Sequence, residues 1–159
     1  MSVTTVMDRL AEICEDITGI AEGGVYAGRP DDVPPAHLPA IVILSGEASY
    51  DYDTDGMDGI VIETRTYRLL LLGQLWTLDG DLEAEKTCRP FFPLIQDAFL
   101  GRYSLGYPSR NESPLVGVQD VRLLGDGGVI NIVLAGEAYS GMEFRMQVTE
   151  QLAVSYTGA

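Results

Sequence analysis

The sequence predicts an α+β fold: a mainly antiparallel sheet with two helical elements on one face and a projecting β-hairpin arm. Three observations predict it. Apolar residues recur at helical spacing in two places, near the start of the chain and around residue 90. Continuous or alternating apolar runs of strand character fill most of the remainder. Clusters of Gly, Pro and Asp separate these segments.

The elements follow in order. Val3, Val6, Leu10, Ile13, Cys14 and Ile17 form one apolar stripe with acids opposite, which predicts a helix over 3–17. Ser2 can cap its start and Thr18-Gly19 can stop it. Residues 29–39 contain four prolines and read as an extended linker. The run AIVILSG from Ala40 reads as a buried strand, and IVIETRTYRLLLLGQLW (60–76) as a long second one. Between them lies YDYDTDGMDG (50–59), an acidic stretch at the tip of a hairpin arm spanning about 46–62. Glu63, Arg65 and Arg68 fall toward the tip and the leucines toward the root.

A helical segment follows over 80–102, with Leu82, Cys88, Phe91, Phe92, Ile95, Ala98 and Phe99 as its apolar positions. Pro90 and Pro93 cannot sit in an unbroken helix interior, so two pieces meeting near Pro90 are predicted. After a turn-rich loop (106–114), strands are predicted at 115–124, 128–138 and 142–154, with a tight hairpin at Gly125-Asp126-Gly127-Gly128. Residues 1–159 form a single domain in this reading, frayed over 155–159.

Composition narrows the function. Ten basic against 24 acidic residues give a formal net charge of −14, a surface that repels phosphate, so direct nucleic-acid affinity is not expected. No apolar run approaches the roughly 20 residues needed to cross a bilayer. Asp8, Glu12, Glu15 and Asp16 break up any signal-peptide pattern, so synthesis and retention in the cytosol are expected. Cys14 and Cys88 occupy apolar helical positions suited to buried thiols, and with His37 the only histidine they cannot make a zinc site.

Motifs add little chemistry. DYDTDG places Asp51, Asp53 and Asp55 before Gly56, as in the first half of an EF-hand loop. The second half fails, because Ile62 stands where a bidentate glutamate belongs and the flanks read as strands. A solvated acidic tip is the expectation, with no metal and no cofactor. Neither Ser45 in LSGE nor Ser140 in YSGM has the surroundings of a nucleophile elbow, and GDGG (125–128) is a turn, not a phosphate cradle. No catalytic residue is assigned, and a non-enzymatic role is expected.

This layout resembles the tail-terminator (tail-completion) proteins of long-tailed bacteriophages and prophages. The resemblance is carried by the first helix (3–17), VYAGRP (25–30) leading to LPAIVIL (38–44), and the acidic loop before TRTYRLLLLG (64–73). The second helical segment (80–102) and the closing AYSGMEFRMQVTE (138–150) complete it, over residues 3 to about 150. It implies a virion structural protein that forms a ring, a hexamer by resemblance, on the finished tail tube. Such a ring ends tube growth and presents a docking face to the head. The implied partners are further copies of the chain, the tail-tube protein and a head-completion or connector protein, with DNA passing through an acidic lumen. The candidate contact residues are Tyr50, Tyr52, Arg65, Tyr67 and Arg68, on or beside the arm. The alternatives are another neck or tail component, of head-closure or tube type, and a Ca²⁺-binding module using Asp51, Asp53 and Asp55.

Overall fold

The computed structural model of the chain describes residues 3–53, 59–77, 81–102, 104–106 and 115–154. Helix α1 spans Val3–Glu15, followed by strand β1 (Val25–Ala27), a 3₁₀ turn at Pro35–His37, β2 (Ala40–Asp53) and β3 (Gly59–Leu75). Then come α2 (Asp81–Cys88), α3 (Phe91–Phe99), β4 (Val118–Leu134) and β5 (Glu137–Val154). The class is mixed α+β, with one five-stranded sheet in the order β1-β2-β3-β5-β4. Only β1 pairs in parallel, through Val25↔Ile41 to Ala27↔Ile43, and the other neighbours are antiparallel.

Leu69–Leu72 explains why the sheet is sandwiched at its root. In a strand, successive side chains point to opposite faces. Leu69 and Leu71 enter one core cluster with Val6, Leu10 and Ile13 of α1, Ile95 and Phe99 of α3, and Met142 and Phe144 of β5. Leu70 and Leu72 enter a second cluster with Val42, Ile132 and Tyr139, against which Val33 and Leu38 of the proline-rich segment pack. A four-leucine run is therefore fully buried, because both faces are covered there.

Two features differ from the sequence reading. No element is predicted at 25–27, yet Val25–Ala27 adds a parallel strand, too short to show any alternation, and Gly28 at φ 100° turns the chain away. The predicted hairpin at 125–128 does not exist. β4 runs straight through it, absorbing the extra residues as irregularities at Leu123/Gly125 and Asp126/Val129. The reversal comes instead at Ala135-Gly136, where both residues hold positive φ (52° and 79°) as a two-residue turn of the mirror-image type requires. Three predicted strands are thus two long ones. The break near Pro90 stands as read, with α2 ending at Cys88 and α3 starting at Phe91. Most of the predicted loop 106–114, and the end 155–159, lie outside the described residues.

Candidate assembly surface

The upper end of the sheet holds most of the residues singled out from sequence. The hairpin register there runs from Ala48↔Arg65 to Asp53↔Ile60. β5 accompanies β3 over the same stretch, up to Gly59↔Val154, so this end is three strands wide and not a free two-stranded arm. Tyr50 and Tyr52 are exposed, at 48% and 63%, and Asp51 is exposed between them.

Arg65, a candidate contact residue, is engaged within the chain. Its Nε donates to Glu63 Oε1 at 3.1 Å, Nη1 to the Gly46 carbonyl at 2.9 Å and Nη2 to the Tyr50 hydroxyl at 3.1 Å. The hydrogen bond to Glu63 raises the Arg65 pKa, against the lowering effect of its burial. Tyr67 cannot be a contact residue, since it is 0% exposed inside the main core. Its position follows from parity: it shares a face with Leu69 and Leu71, which α1 and α3 cover. Arg68 is half-exposed, and its Nε donates to Glu143 Oε1 at 2.6 Å.

Sequence reasoning missed what lies under these residues. Glu63 and Glu150 are direct cross-strand partners, and both are buried. Burial raises the Glu150 pKa, the neighbouring Glu63 carboxylate raises it further, and Arg65 opposes both. The Tyr67 hydroxyl is pushed up by its burial and then by Glu150, again against Arg65. Tyr67 Oη and Glu150 Oε2 are buried without a hydrogen-bond partner among the described residues. The only sequence signal was Glu63 in a strand flanked by apolar residues, and nothing marked Glu150 as its partner.

The acidic stretch, which matches the first half of an EF-hand loop in sequence, is extended over its described residues. Asp51 and Asp53 are ladder residues of an extended strand, paired with Ile62 and Ile60, whereas a calcium loop must curl around the ion. Asp55 and the Asp53 side chain lie outside the described residues. Among the described residues no three metal-ligating side chains cluster. His37 Nδ1 lies 2.6 Å from the Tyr26 hydroxyl in the proline-rich turn. Cys14 and Cys88 are free and buried, and burial lifts the Cys88 thiol to about 11.

The lower end of the sheet carries a second surface. A groove of about 570 Å³ opens between the α2–α3 pair and β4, lined by Trp76, Arg89, Phe92, Val129, Ile130 and Ser140 among others. Trp76 is 39% exposed and Val133 71%. The Trp76 N–H donates to the Ala138 carbonyl at 3.0 Å, and Ala138 pairs with Val133, so the two apolar side chains flank one residue. Glu85 of α2 and Arg89 just beyond it both line the groove and pair with each other.

These features define a class: a mixed α+β domain on one five-stranded sheet, with large apolar side chains exposed at both ends of that sheet among the described residues. No protein-family model matches the sequence, and comparison with curated proteins gives no match.

Proposed function

We propose that the chain is a structural subunit of a bacteriophage tail, the tail terminator, which forms a ring on the tube, stops its growth and offers the head a docking face. The observation that carries this reading is the exposure of large side chains at both ends of the sheet, Tyr50 and Tyr52 at one and Trp76 and Val133 at the other. A ring is built from head-to-tail contacts, and those need two different patches on every subunit. The order of elements that resembles the tail-terminator proteins supports it. So does a net charge of −14, which keeps subunits soluble and apart until a specific surface gathers them, and which leaves a lumen to which DNA does not stick.

In this reading the two helical elements lie on one face, and the upper end of the β2–β3 hairpin, with β5 alongside, grips a neighbour. The partners are other copies in a ring of six, the tail-tube protein and a head-completion protein, and the chain resides in the virion without catalytic activity or cofactor. The test is electron microscopy of particles assembled with and without the chain. Tails of uncontrolled length, or tails that never join heads, are the expected result of omission. Normal particles would remove the reading. A tube-type protein would differ by polymerising without limit on its own.

A further inference from the structure

We infer that Glu63 and Glu150 hold one proton between them and act as a pH-operated latch on the upper end of the sheet, closed when the proton is bound and loosened when it leaves. What carries this is a shortage of hydrogen-bond donors around two buried carboxyl groups.

Glu63 and Glu150 are direct cross-strand partners on β3 and β5, 7% and 2% exposed. Residues so placed have Cβ atoms about 4.5–5.5 Å apart, which brings the two carboxyl groups within mutual reach. An ionised carboxylate only accepts hydrogen bonds, so both need donors. Arg65 is the guanidinium at this rung, and its donors are already committed. Nε and Nη2 go to the two oxygens of Glu63 at 3.1 and 3.4 Å, Nη1 to the Gly46 carbonyl, and Nη2 also to the Tyr50 hydroxyl. Glu150 Oε2 is left buried with no donor among the described residues. A proton on Glu150 supplies the missing donor, and the Glu63 carboxylate across the rung is its acceptor.

Tyr67 is a second, independent sign. It is 0% exposed, and its Oη is also buried without a partner among the described residues. That hydroxyl feels Glu150 more strongly than any other charge. An unbonded hydroxyl is thus aimed at the acid that lacks a donor, and a neutral Glu150 relieves both.

Few other groups face the pair. β2 contributes Tyr50 through Arg65, and β4 places the uncharged Val118 opposite Glu150. Helices α1 and α3 bring no ionisable side chain to bear on it. Burial raises the Glu150 pKa and the Glu63 carboxylate raises it further, while the amino-terminal charge of the chain and Arg65 act against them. The proton is therefore held at low pH and lost as pH rises through the raised pKa. Once it leaves, two buried carboxylates compete for one guanidinium. The same guanidinium holds Gly46 and the exposed Tyr50, so the strain passes outward to the tyrosine end. The leucines at the root pack among hydrophobic residues on both faces and feel none of it.

Two measurements on the full chain test the latch, with circular dichroism to show that each variant keeps its fold. In a ¹³C NMR titration of the glutamate carboxyl groups, Glu150 should titrate above the ordinary glutamate range. Glu63→Gln should bring that midpoint down, because the competing carboxylate is gone and Arg65 is released. A midpoint in the ordinary range, or a raised one that Glu63→Gln leaves in place, overturns the shared proton. In amide hydrogen exchange from pH 5 to 8, corrected for intrinsic rates, protection at 63–65 and 148–150 should fall relative to 69–72. The local opening equilibrium gains about tenfold for each unit by which the Glu150 pKa is raised. Glu150→Gln carries amide donors in place of the proton, so it should keep the low-pH protection at every pH. Protection at the rung that tracks the root throughout, or a pH dependence that survives in Glu150→Gln, overturns the latch. The two arms use different variants, so either one decides if the other variant does not fold.

Discussion

The root of the sheet and its upper end are built from the same strands and could hardly be more different inside. At the root, β2, β3 and β5 present Ile41, Ile43, Leu69, Leu71, Met142 and Phe144 to α1 and α3, with no buried polar side chain among them. A few residues up the same strands the face changes to Glu63, Arg65, Tyr67 and Glu150, where two buried carboxylates oppose each other across one ladder rung. An apolar replacement there would be the simpler solution for stability, because like charges on adjacent strands repel and buried polar atoms without partners lose their hydration. The contrast teaches that stability is concentrated below and tension is tolerated above, next to the exposed tyrosines that are candidates for assembly.

Substitutions at each level can break or sharpen that contrast. The largest effect belongs to the root. Leu71→Ala should cost about 2–5 kcal/mol in denaturant unfolding, since Leu71 is fully buried and the rigid sheet cannot collapse around the gap. A loss under about 1 kcal/mol would show the root to be no better packed than the rest. Arg65→Glu should come next, at about 3 kcal/mol, by placing a third acid beside Glu63 and Glu150 while removing the donor to Gly46 and Tyr50. Reversal of Arg65 is therefore an unsuitable probe of subunit contacts, and Arg68, which is half-exposed, is the better one.

Glu150→Gln should be smaller and opposite in sign. A carboxyl whose folded pKa is raised above 4.5 supports folding fully below that value and loses the support as pH rises through the raised pKa. Unfolding followed from pH 4 to 8 should show the wild type losing stability relative to Glu150→Gln as pH rises. Parallel profiles would show that the acid pair carries no tension. The smallest effect is expected from Ca²⁺. At 100 times its dissociation constant a ligand adds about 2.7 kcal/mol, several degrees in Tm, so a melting curve unmoved by millimolar Ca²⁺ is the expected outcome. A rise abolished by Asp51→Ala would turn the upper end into a metal-stabilised one.

How much of this was legible depended on whether the signal was local. The stripe from Val6 to Ile17, the continuous run at Leu69–Leu72 and the alternation from Met142 to Val148 each carry their period in their own residues, and each element formed where it was read. The β4–β5 turn was misplaced because GDGG advertises a hairpin more strongly than Ala135-Gly136 does, and bulges absorbed the glycines once the strands had paired. At the candidate surface, Tyr50 and Tyr52 were read from their acidic setting and are exposed. Tyr67 was misread because a tyrosine between two arginines looks like surface until parity with the leucines is known. The Glu63–Glu150 pair and the groove at Trp76 were invisible, since each is made by residues distant in the chain that only the ladder brings together.

One feature of the ladder also constrains when the domain can exist at all. β5 sits between β3 and β4, so Leu71 waits for Met142, some seventy residues later in synthesis, before its inner edge is closed. Until then the leucine strand emerges with one side open, a template for pairing with any other extended chain. The short Ala135-Gly136 turn shortens that exposure, because it lets β4 and β5 zip locally and arrive as a finished pair. Closure of the sheet is then a single late docking step, and a chain arrested before β5 has no route to the assembled fold.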